Sequence, residues 1–281
     1  MSRLSDIKII FSDIDGTLLP VSGKDLGPTA ELFSRLIRAG YTVIPCTGRG
    51  TGNIPPVSKN IPGVPALITA NGALVVDRAS GKYLREARVP MELSRKVLRF
   101  LRNYPGSVFC YRDGEHYVDN AVTYPEAPEG TTFCAWLAGA KAVDMAAWLE
   151  ENPGPLDKMG FVCFDEAVKD RIMEQFALQP FGPRFVLSRS AFWNVEINMA
   201  DATKGASAAW LLERLGFTPA QMLAAGDNLN DYSMLELAAV SVAPANAVPE
   251  VQKLVTYLVP DCKDDGVENF LAKLLDKSAS E

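Results

Sequence analysis

The apolar residues of this chain fall into two kinds of pattern, and the order in which they recur sketches the fold. KIIFSDID, a β-branched and aromatic run closed by Gly16, predicts a buried strand that ends in a loop. In PTAELFSRLIRAG the residues Leu32, Phe33, Leu36 and Ile37 share one helical face, with Pro28 at the start and Gly40 as the stop. YTVIPCTGR then predicts a second strand and PALITANG a third. Alternation of strand, helix and strand predicts an α/β unit with a doubly wound parallel sheet covered by helices.

From about Tyr83 the rhythm changes. A helical pattern in MELSRKVLRFLRNY is followed by a hairpin pattern in SVFCYRDGEHYVD, and then by helices and strands through DMAAWLEEN, GFVCF, DEAVKDRIMEQFAL, RFVLSRS and FWNVEINM. AVTYPEAPEGTT, rich in proline and turn residues, reads as a loop inside this stretch. After Asp201 the first rhythm returns: helix KGASAAWLLERLG, strand QMLAAGD, helix NDYSMLELA, strand VSVA, helix VPEVQKLV, strand TYLV and helix VENFLAKLLDK. The expected organisation is a core made of residues 1–82 and 199–281, with residues 83–198 inserted as an α+β unit. Only the tail KSASE reads as disordered.

Composition narrows the functional classes. A chain of 281 residues with 48% apolar residues can bury a substantial core, and a net charge of -6 argues against a general nucleic-acid binder. No apolar run reaches the roughly 20 residues of a membrane span, and MSRLSDIKII lacks the features of a signal peptide, so the expected location is the cytoplasm. Cys46, Cys110, Cys134, Cys163 and Cys262 contain no CxxC pair and sit mostly in apolar runs, the pattern of reduced core thiols. His116, the one histidine, lies in the hairpin RDGEHYVD and reads as a surface residue, which leaves no partner for a histidine-dependent triad.

The candidate chemistry gathers where strands end and helices begin. Asp13 and Asp15 close the first strand, and open parallel sheets place ligands outside such carboxyl ends. Two acids so close repel each other, and a metal or a shared proton is the usual reason to keep both. Asp13 could attack phosphorus while Asp15 protonates a leaving oxygen and later activates water. An Asx turn is the alternative for this pair. Thr47 ends the second strand, where its hydroxyl and the following amides could bind a phosphoryl oxygen; the alternative is a turn built on Gly48. Lys204 begins a helix and could hold an anion, against the alternative of a solvated lysine. Asp227 follows another apolar strand, with Asn230 and Asp231 at the next helix start, where helix capping competes. Together these groups supply the nucleophile, proton donor, metal ligands and anion-stabilising groups that phosphoryl transfer needs.

DIDGTLL, CTGR, the TKG around Lys204 and GDNLND resemble, in order and spacing, the four motifs of the haloacid dehalogenase superfamily, and specifically its Cof-like phosphatases with a large α+β cap. TANGA, around Asn71, and the late DDGV resemble accessory signatures of the same group. The resemblance implies a Rossmann-like core with Asp13 as nucleophile and Asp15 as general acid/base. It implies Mg²⁺ held by Asp13, the backbone carbonyl of Asp15 and Asp227. It assigns phosphate contacts to Thr47, Gly48, Lys204 and Asn230, with Asn71 and Asp231 in support. Asn228 and Leu229 depart from the usual fourth motif, and TGRGTGNIPP is unusually rich in glycine and proline.

The reaction expected is hydrolysis of small phosphorylated metabolites, such as sugar, nucleotide or cofactor phosphates, through a phosphoaspartate. A sugar phosphomutase of the same superfamily and a non-enzymatic phosphoacceptor domain are the alternatives. The inserted unit is expected to act as a mobile cap, with Arg112, Arg184 and Arg189 as candidates to meet the leaving group.

Overall fold

The computed structural model describes residues 4–19, 27–54, 61–120 and 132–278, which divide into two compact units. The first comprises Met1–Gly48, Ile54–Glu86 and Thr203–Glu281; the second comprises Arg49–Asn53 and Ala87–Ala202. In chain order the first unit contributes β1 (Ile9–Asp13), β2 (Thr42–Cys46), β3 (Ala66–Thr69), β4 (Leu74–Asp77) and β5 (Tyr83–Glu86). The second contributes β6 (Ser107–Arg112), β7 (Glu115–Asp119), β8 (Lys141–Val143), β9 (Lys158–Val162), β10 (Phe185–Ser188) and β11 (Asn194–Met199). β12 (Met222–Ala225), β13 (Val240–Pro244) and β14 (Tyr257–Val259) return to the first.

The first unit holds one sheet in the order β14-β13-β12-β1-β2-β3-β4-β5. Strands β14 through β3 run parallel, whereas β4 and β5 are antiparallel additions at one edge. Alternate residues of its strands feed two different cores, as a sheet covered on both faces requires. Ile10, Val43, Leu67 and Leu223 pack with Leu32, Phe33 and Leu36 of helix Gly27–Arg38 and with Leu271 and Leu274 of helix Gly266–Ser278. Ile9, Phe11, Ile44, Ile68 and Met222 pack on the other side with Ala208, Leu211 and Leu212 of helix Lys204–Leu215. Each such aliphatic side chain contributes about 1.5–3 kcal/mol by leaving water.

The second unit carries a sheet in the order β10-β11-β9-β6-β7-β8. Its strands are antiparallel neighbours except for the parallel β7–β8 pair. Val108 and Cys110 of β6 belong to a core shared with helices Met91–Leu101, Met145–Glu151 and Glu166–Ala177. Phe109 and Tyr111 point the other way, into an aromatic cluster with Phe133, Trp136 and Trp193.

Several features differ from the sequence expectation. Tyr83, where the change of rhythm is placed, opens β5 and pairs inside the first sheet, and the second unit's main segment begins at Ala87. The turn-rich AVTYPEAPEGTT lies outside the described residues except for Thr132, which starts a helix to Ala138. Lys277 and Ser278 of KSASE close the last helix, and the remainder lies outside the described residues. His116 is not a surface residue but only 4% exposed. The Asn53 amide donates to its Nδ1 at 3.0 Å and its Nε2–H donates to Trp136 O at 2.8 Å, so the ring is neutral, and burial holds its pKa below the usual value. The periodicity of so short a strand did not reveal the aromatic face it joins. Cys46, Cys110, Cys163 and Cys262 are buried free thiols, as expected; the side chain of Cys134 lies outside the described residues. Among the described residues no helix is long and apolar enough to cross a membrane.

β3 and β4 are joined by the turn Ala70–Gly72, in which all three residues have positive φ, 102° at Gly72. A Cβ at Gly72 would lie 2.2 Å from the Thr203 carbonyl oxygen, immediately before Lys204. Gly72 O also accepts hydrogen bonds from Ser207 Oγ at 2.6 Å and Arg85 Nη1 at 3.1 Å, so the turn fixes the start of that helix. Gly72→Ala is expected to cost about 1–3 kcal/mol, from strained φ and displaced backbone. Denaturant melts would measure the loss, and an unchanged midpoint would contradict this packing.

Candidate functional site

The parallel register sets the depth of the site. Asp13 pairs with Cys46 and Ser12 with Ala225, so the residues after β12, β1 and β2 emerge side by side at one end of the sheet. These are Gly226 and Asp227, Ile14 to Thr17, and Thr47 and Gly48. Thr47 N–H donates to Ile68 O of β3, and Asn71 N–H to Thr47 O, which brings the end of β3 into the same row.

Lys204 stands at the first turn of helix Lys204–Leu215, whose N-cap Thr203 accepts from Ala206 N–H at 3.0 Å. The side chain is fully buried and donates to Asp13 Oδ1 and Asp231 Oδ1, each at 2.5 Å. The solvated-lysine alternative is therefore excluded. Gly205 makes the approach possible, since a Cβ there would lie 2.5 Å from Ser233 O of the neighbouring helix.

Asp231 begins helix Tyr232–Leu237, but its side chain makes no capping bond to that helix. Its Oδ2 instead accepts from the backbone N–H groups of Asp227 at 3.0 Å and Asn228 at 3.1 Å, shaping the turn that presents Asp227. Carboxylate oxygens of Asp13, Asp227 and Asp231 lie within 4.8 Å of one another. Thr47, Gly48, Asn71 and Asn230 form a second group. Asn230 Nδ2–H donates to Asn71 Oδ1 at 3.1 Å, and a Cβ at Gly48 would come within 2.7 Å of that same oxygen. Asp15 is half-buried and bridges to Leu19, in a turn closed by Gly16 N–H donating to Leu19 O.

The electrostatics follow from this crowding. Burial raises the Asp13 pKa well above the usual carboxylate range; Lys204 opposes the shift, and Asp231, Asp227 and Asp15 add to it. Asp227 is pushed up to about 7, first by burial and then by the charge of Asp231, with the Thr17 hydroxyl opposing. For Lys204, burial alone would weaken the ammonium, but Asp13 and Asp231 outweigh it and hold the pKa above the ordinary value. Three carboxyl groups share one ammonium here, so the place is short of positive charge and two of the acids hold their protons more tightly than usual. A hard divalent cation with oxygen preference fits that donor set and that charge.

Some supporting residues escaped the sequence reading. Thr17 Oγ1–H donates to Asp227 Oδ1 at 2.8 Å, and Gly16 has no room for a Cβ, which would meet Asp227 Oδ2 at 2.4 Å. Asn246 Nδ2–H donates to Gly16 O at 2.7 Å, while its Oδ1 accepts from Cys262 N–H at 2.9 Å. Asn246 follows β13, so the rule that singled out Asp227 would have found it. The arginines expected to meet the leaving group fare differently. Arg112 donates to Asn152 O and Pro155 O and lies over the Trp148 ring, and Arg189 pairs with Glu166 and Asp170. Both are engaged with the helix-bearing side of the second sheet, and Arg184 is an exposed residue of the turn Gly182–Arg184.

Asp13, Asp227 and Asp231 thus gather with Lys204 at the carboxyl end of a parallel α/β sheet. The chain belongs to the haloacid dehalogenase-like hydrolase family, whose model matches residues 10–271. It is 27% identical over 262 residues to the 5-amino-6-(5-phospho-D-ribitylamino)uracil phosphatase YcsE of Bacillus subtilis, covering 93% of each chain. It is 26% identical over 278 residues to the pyridoxal phosphate phosphatase YbhA of Escherichia coli, covering 94% of this chain and 97% of that one. Its fold matches the crystal structure of SMU.1108c from Streptococcus mutans with a TM-score of 0.81 at 22% identity, over 96% of this chain and 99% of that one. The chain is accordingly a Cof-like phosphatase, a phosphoric monoester hydrolase.

The raised carboxyl pKa values make a stability prediction. A carboxyl that holds its proton more tightly when folded stabilises the protein fully below its unfolded pKa, and that contribution is lost as pH rises through the folded value. For Asp227 the window runs from about 3.8 to about 7. In the presence of chelator, Tm is expected to fall between pH 5 and pH 8, and Asp227→Asn is expected to flatten that fall. Thermal melts across the range test it; a variant with the same slope as the parent would assign the effect elsewhere.

Proposed function

We propose that the protein hydrolyses small phosphorylated metabolites through a covalent phosphate on Asp13, with Mg²⁺ as cofactor. The observation that carries this reading is the buried Lys204 ammonium bonded at once to Asp13 and Asp231, beside Asp227. An ammonium so placed opposes the rise that burial causes in the Asp13 pKa and pins its carboxylate in one orientation, as an in-line nucleophile requires.

In the proposed first step an Asp13 oxygen forms a bond to phosphorus as the ester P–O bond breaks, and Asp15 gives its proton to the departing alkoxide. In the second a water oxygen attacks the same phosphorus and passes its proton to Asp15, releasing inorganic phosphate and restoring the Asp13 carboxylate. Thr47, Gly48, Lys204 and Asn230 are proposed to hold the phosphoryl oxygens, and Asn71 to orient Asn230 through their hydrogen bond. Asp13, Asp227 and the Asp15 backbone carbonyl would hold the Mg²⁺, with Asp231 and Thr17 fixing Asp227. When bound, the cation supplies charge neutralisation for the phosphoryl group. The two phosphatase relatives are named for small phosphate monoesters, which supports the same substrate class here. The second unit is proposed as the cap that selects the leaving group.

Activity on a phosphate ester is expected to vanish with EDTA, to return with Mg²⁺ and to return poorly with Ca²⁺, whose larger coordination shell misplaces the reactants. Phosphate release that survives thorough chelation would refute the metal assignment.

Asparagine substitutions separate the two acids at nearly constant volume. Asp13→Asn is expected to abolish phosphoenzyme formation, while Asp15→Asn should retain metal binding yet lower kcat by about 10²-fold or more. Phosphate release assays with acid-quench trapping of the phosphoenzyme check both, and full activity of either variant would exclude the mechanism.

A further inference from the structure

One side chain with no part in the proposed reaction ties together the loops at the carboxyl end of the first unit's sheet. Asn246 follows β13, and in the sheet order β13 and β12 stand between β14 and β1. Its Nδ2–H donates to Gly16 O, after β1, at 2.7 Å, and its Oδ1 accepts from Cys262 N–H, after β14, at 2.9 Å. The side chain therefore joins loops on either side of the one that carries Asp227, which follows β12. Gly16 O only accepts and Cys262 N–H only donates, so the two ends of the amide are assigned without ambiguity. Aspartate would lose the donor and leucine both groups, although each has nearly the same shape.

The partner on the far side is built for this bond. Cys262 is the first residue of the 3₁₀ turn Cys262–Asp264, and its N–H has no acceptor inside the turn. Asp261 caps the turn through Lys263 N–H at 3.0 Å, which leaves Cys262 N–H to Asn246. Gly266 lets the chain close behind it, since a Cβ there would lie 1.8 Å from Pro260 O. The late DDGV segment thus closes the turn that presents Cys262 N–H to Asn246.

On the near side, Asn246 holds the part of the first loop that touches Asp227. Gly16 has a φ of 82°, and a Cβ there would meet Asp227 Oδ2 at 2.4 Å. Asn246 grips the carbonyl of the Gly16–Thr17 peptide, and Thr17 Oγ1–H donates to Asp227 Oδ1 at 2.8 Å. The loop that carries Asn246 also reaches Asp227 directly, because Val248 N–H donates to Asp227 O at 2.9 Å. Asp227 is therefore fixed from two directions, through Gly16 and Thr17 and through its own carbonyl. Asn246 itself is exposed, and bonds made at the surface contribute little to the stability of a fold.

We propose, resting on the metal assignment above, that Asn246 is a positioning residue for the Mg²⁺ site, holding the Gly16–Thr17 peptide against Asp227 so that this carboxylate is preset for the cation. Ligands held in place beforehand lose less freedom when the cation arrives, so loosening the outer ring of the site weakens metal binding more than it weakens the fold.

Mg²⁺ binding to the full-length protein is measured directly by calorimetry, without substrate, for the parent, Asn246→Ala, Asn246→Leu and Ser241→Ala. Leucine keeps the volume of asparagine but neither hydrogen bond. Ser241 of β13, whose hydroxyl accepts from Thr256 N–H at 3.0 Å, serves as the stability control. Tm in EDTA is recorded for each protein, and kcat and the Mg²⁺ concentration for half-maximal rate are measured on one phosphate ester. Both Asn246 variants are expected to raise the Mg²⁺ Kd about 10-fold and the half-maximal concentration with it, while kcat at saturating Mg²⁺ stays within about 3-fold of the parent. Ser241→Ala is expected to lower Tm and leave Kd unchanged. Asn246 variants that fold with the parent's Kd, or a Ser241 variant whose Kd rises as much as theirs, overturn the positioning role. If neither Asn246 variant folds, the residue is structural and the proposal falls. A parent that binds no Mg²⁺ and releases phosphate in EDTA overturns the metal assignment itself, and the role of Asn246 with it.

Discussion

The arrangement of the first unit depends on one contact, the Lys204 ammonium buried between Asp13 and Asp231. An unpaired ammonium at that depth would shed its charge; Asp13 and Asp231 hold Lys204 protonated, and Lys204 in turn opposes the rise that burial causes in the Asp13 pKa. The backbone is fitted to this contact. Gly72 and Gly205 leave room for the helix start to approach the sheet and its neighbouring helix, and Thr203 caps the same turn. Asp231 spends its second oxygen on the amides of Asp227 and Asn228, so the contact that positions the nucleophile also shapes the loop bearing the third carboxylate.

Much of this was legible in the sequence because strand ends are easy to locate. A buried parallel strand reads as a run of β-branched and aromatic residues, and the polar residue that breaks the run stands at its carboxyl end. Asp13, Thr47 and Asp227 were found in that way, and Lys204 from its place at a helix start. Residues that act through the backbone are harder to see. Gly72 and Gly205 matter for what they leave empty, which no pattern of side chains records. β4 and β5 were missed because short strands added antiparallel at an edge carry no helix between them to mark the alternation.

The second unit was less legible for a related reason. Exposed arginines near turns attract attention, yet Arg112 and Arg189 have partners within their own unit. Lys158 and Glu196 sit inside apolar strands separated by 38 positions, and only the register of β9 against β11 brings them to one face. A charged residue embedded in an otherwise apolar strand is the signal that would have singled them out, since burying it is costly without a partner.

The two buried lysines also show how stoichiometry divides the chemical tasks. Lys204 faces three carboxylates, counting Asp227, and the surplus negative charge raises the carboxyl pKa values and suits a divalent cation. Lys158 is buried as deeply, yet it stands against Glu196 and the Tyr111 ring and not against a cluster of carboxylates. A doubly charged phosphoryl group brought beside Lys204 would add to the surplus negative charge there, so charge neutralisation is the task that site leaves to a divalent cation.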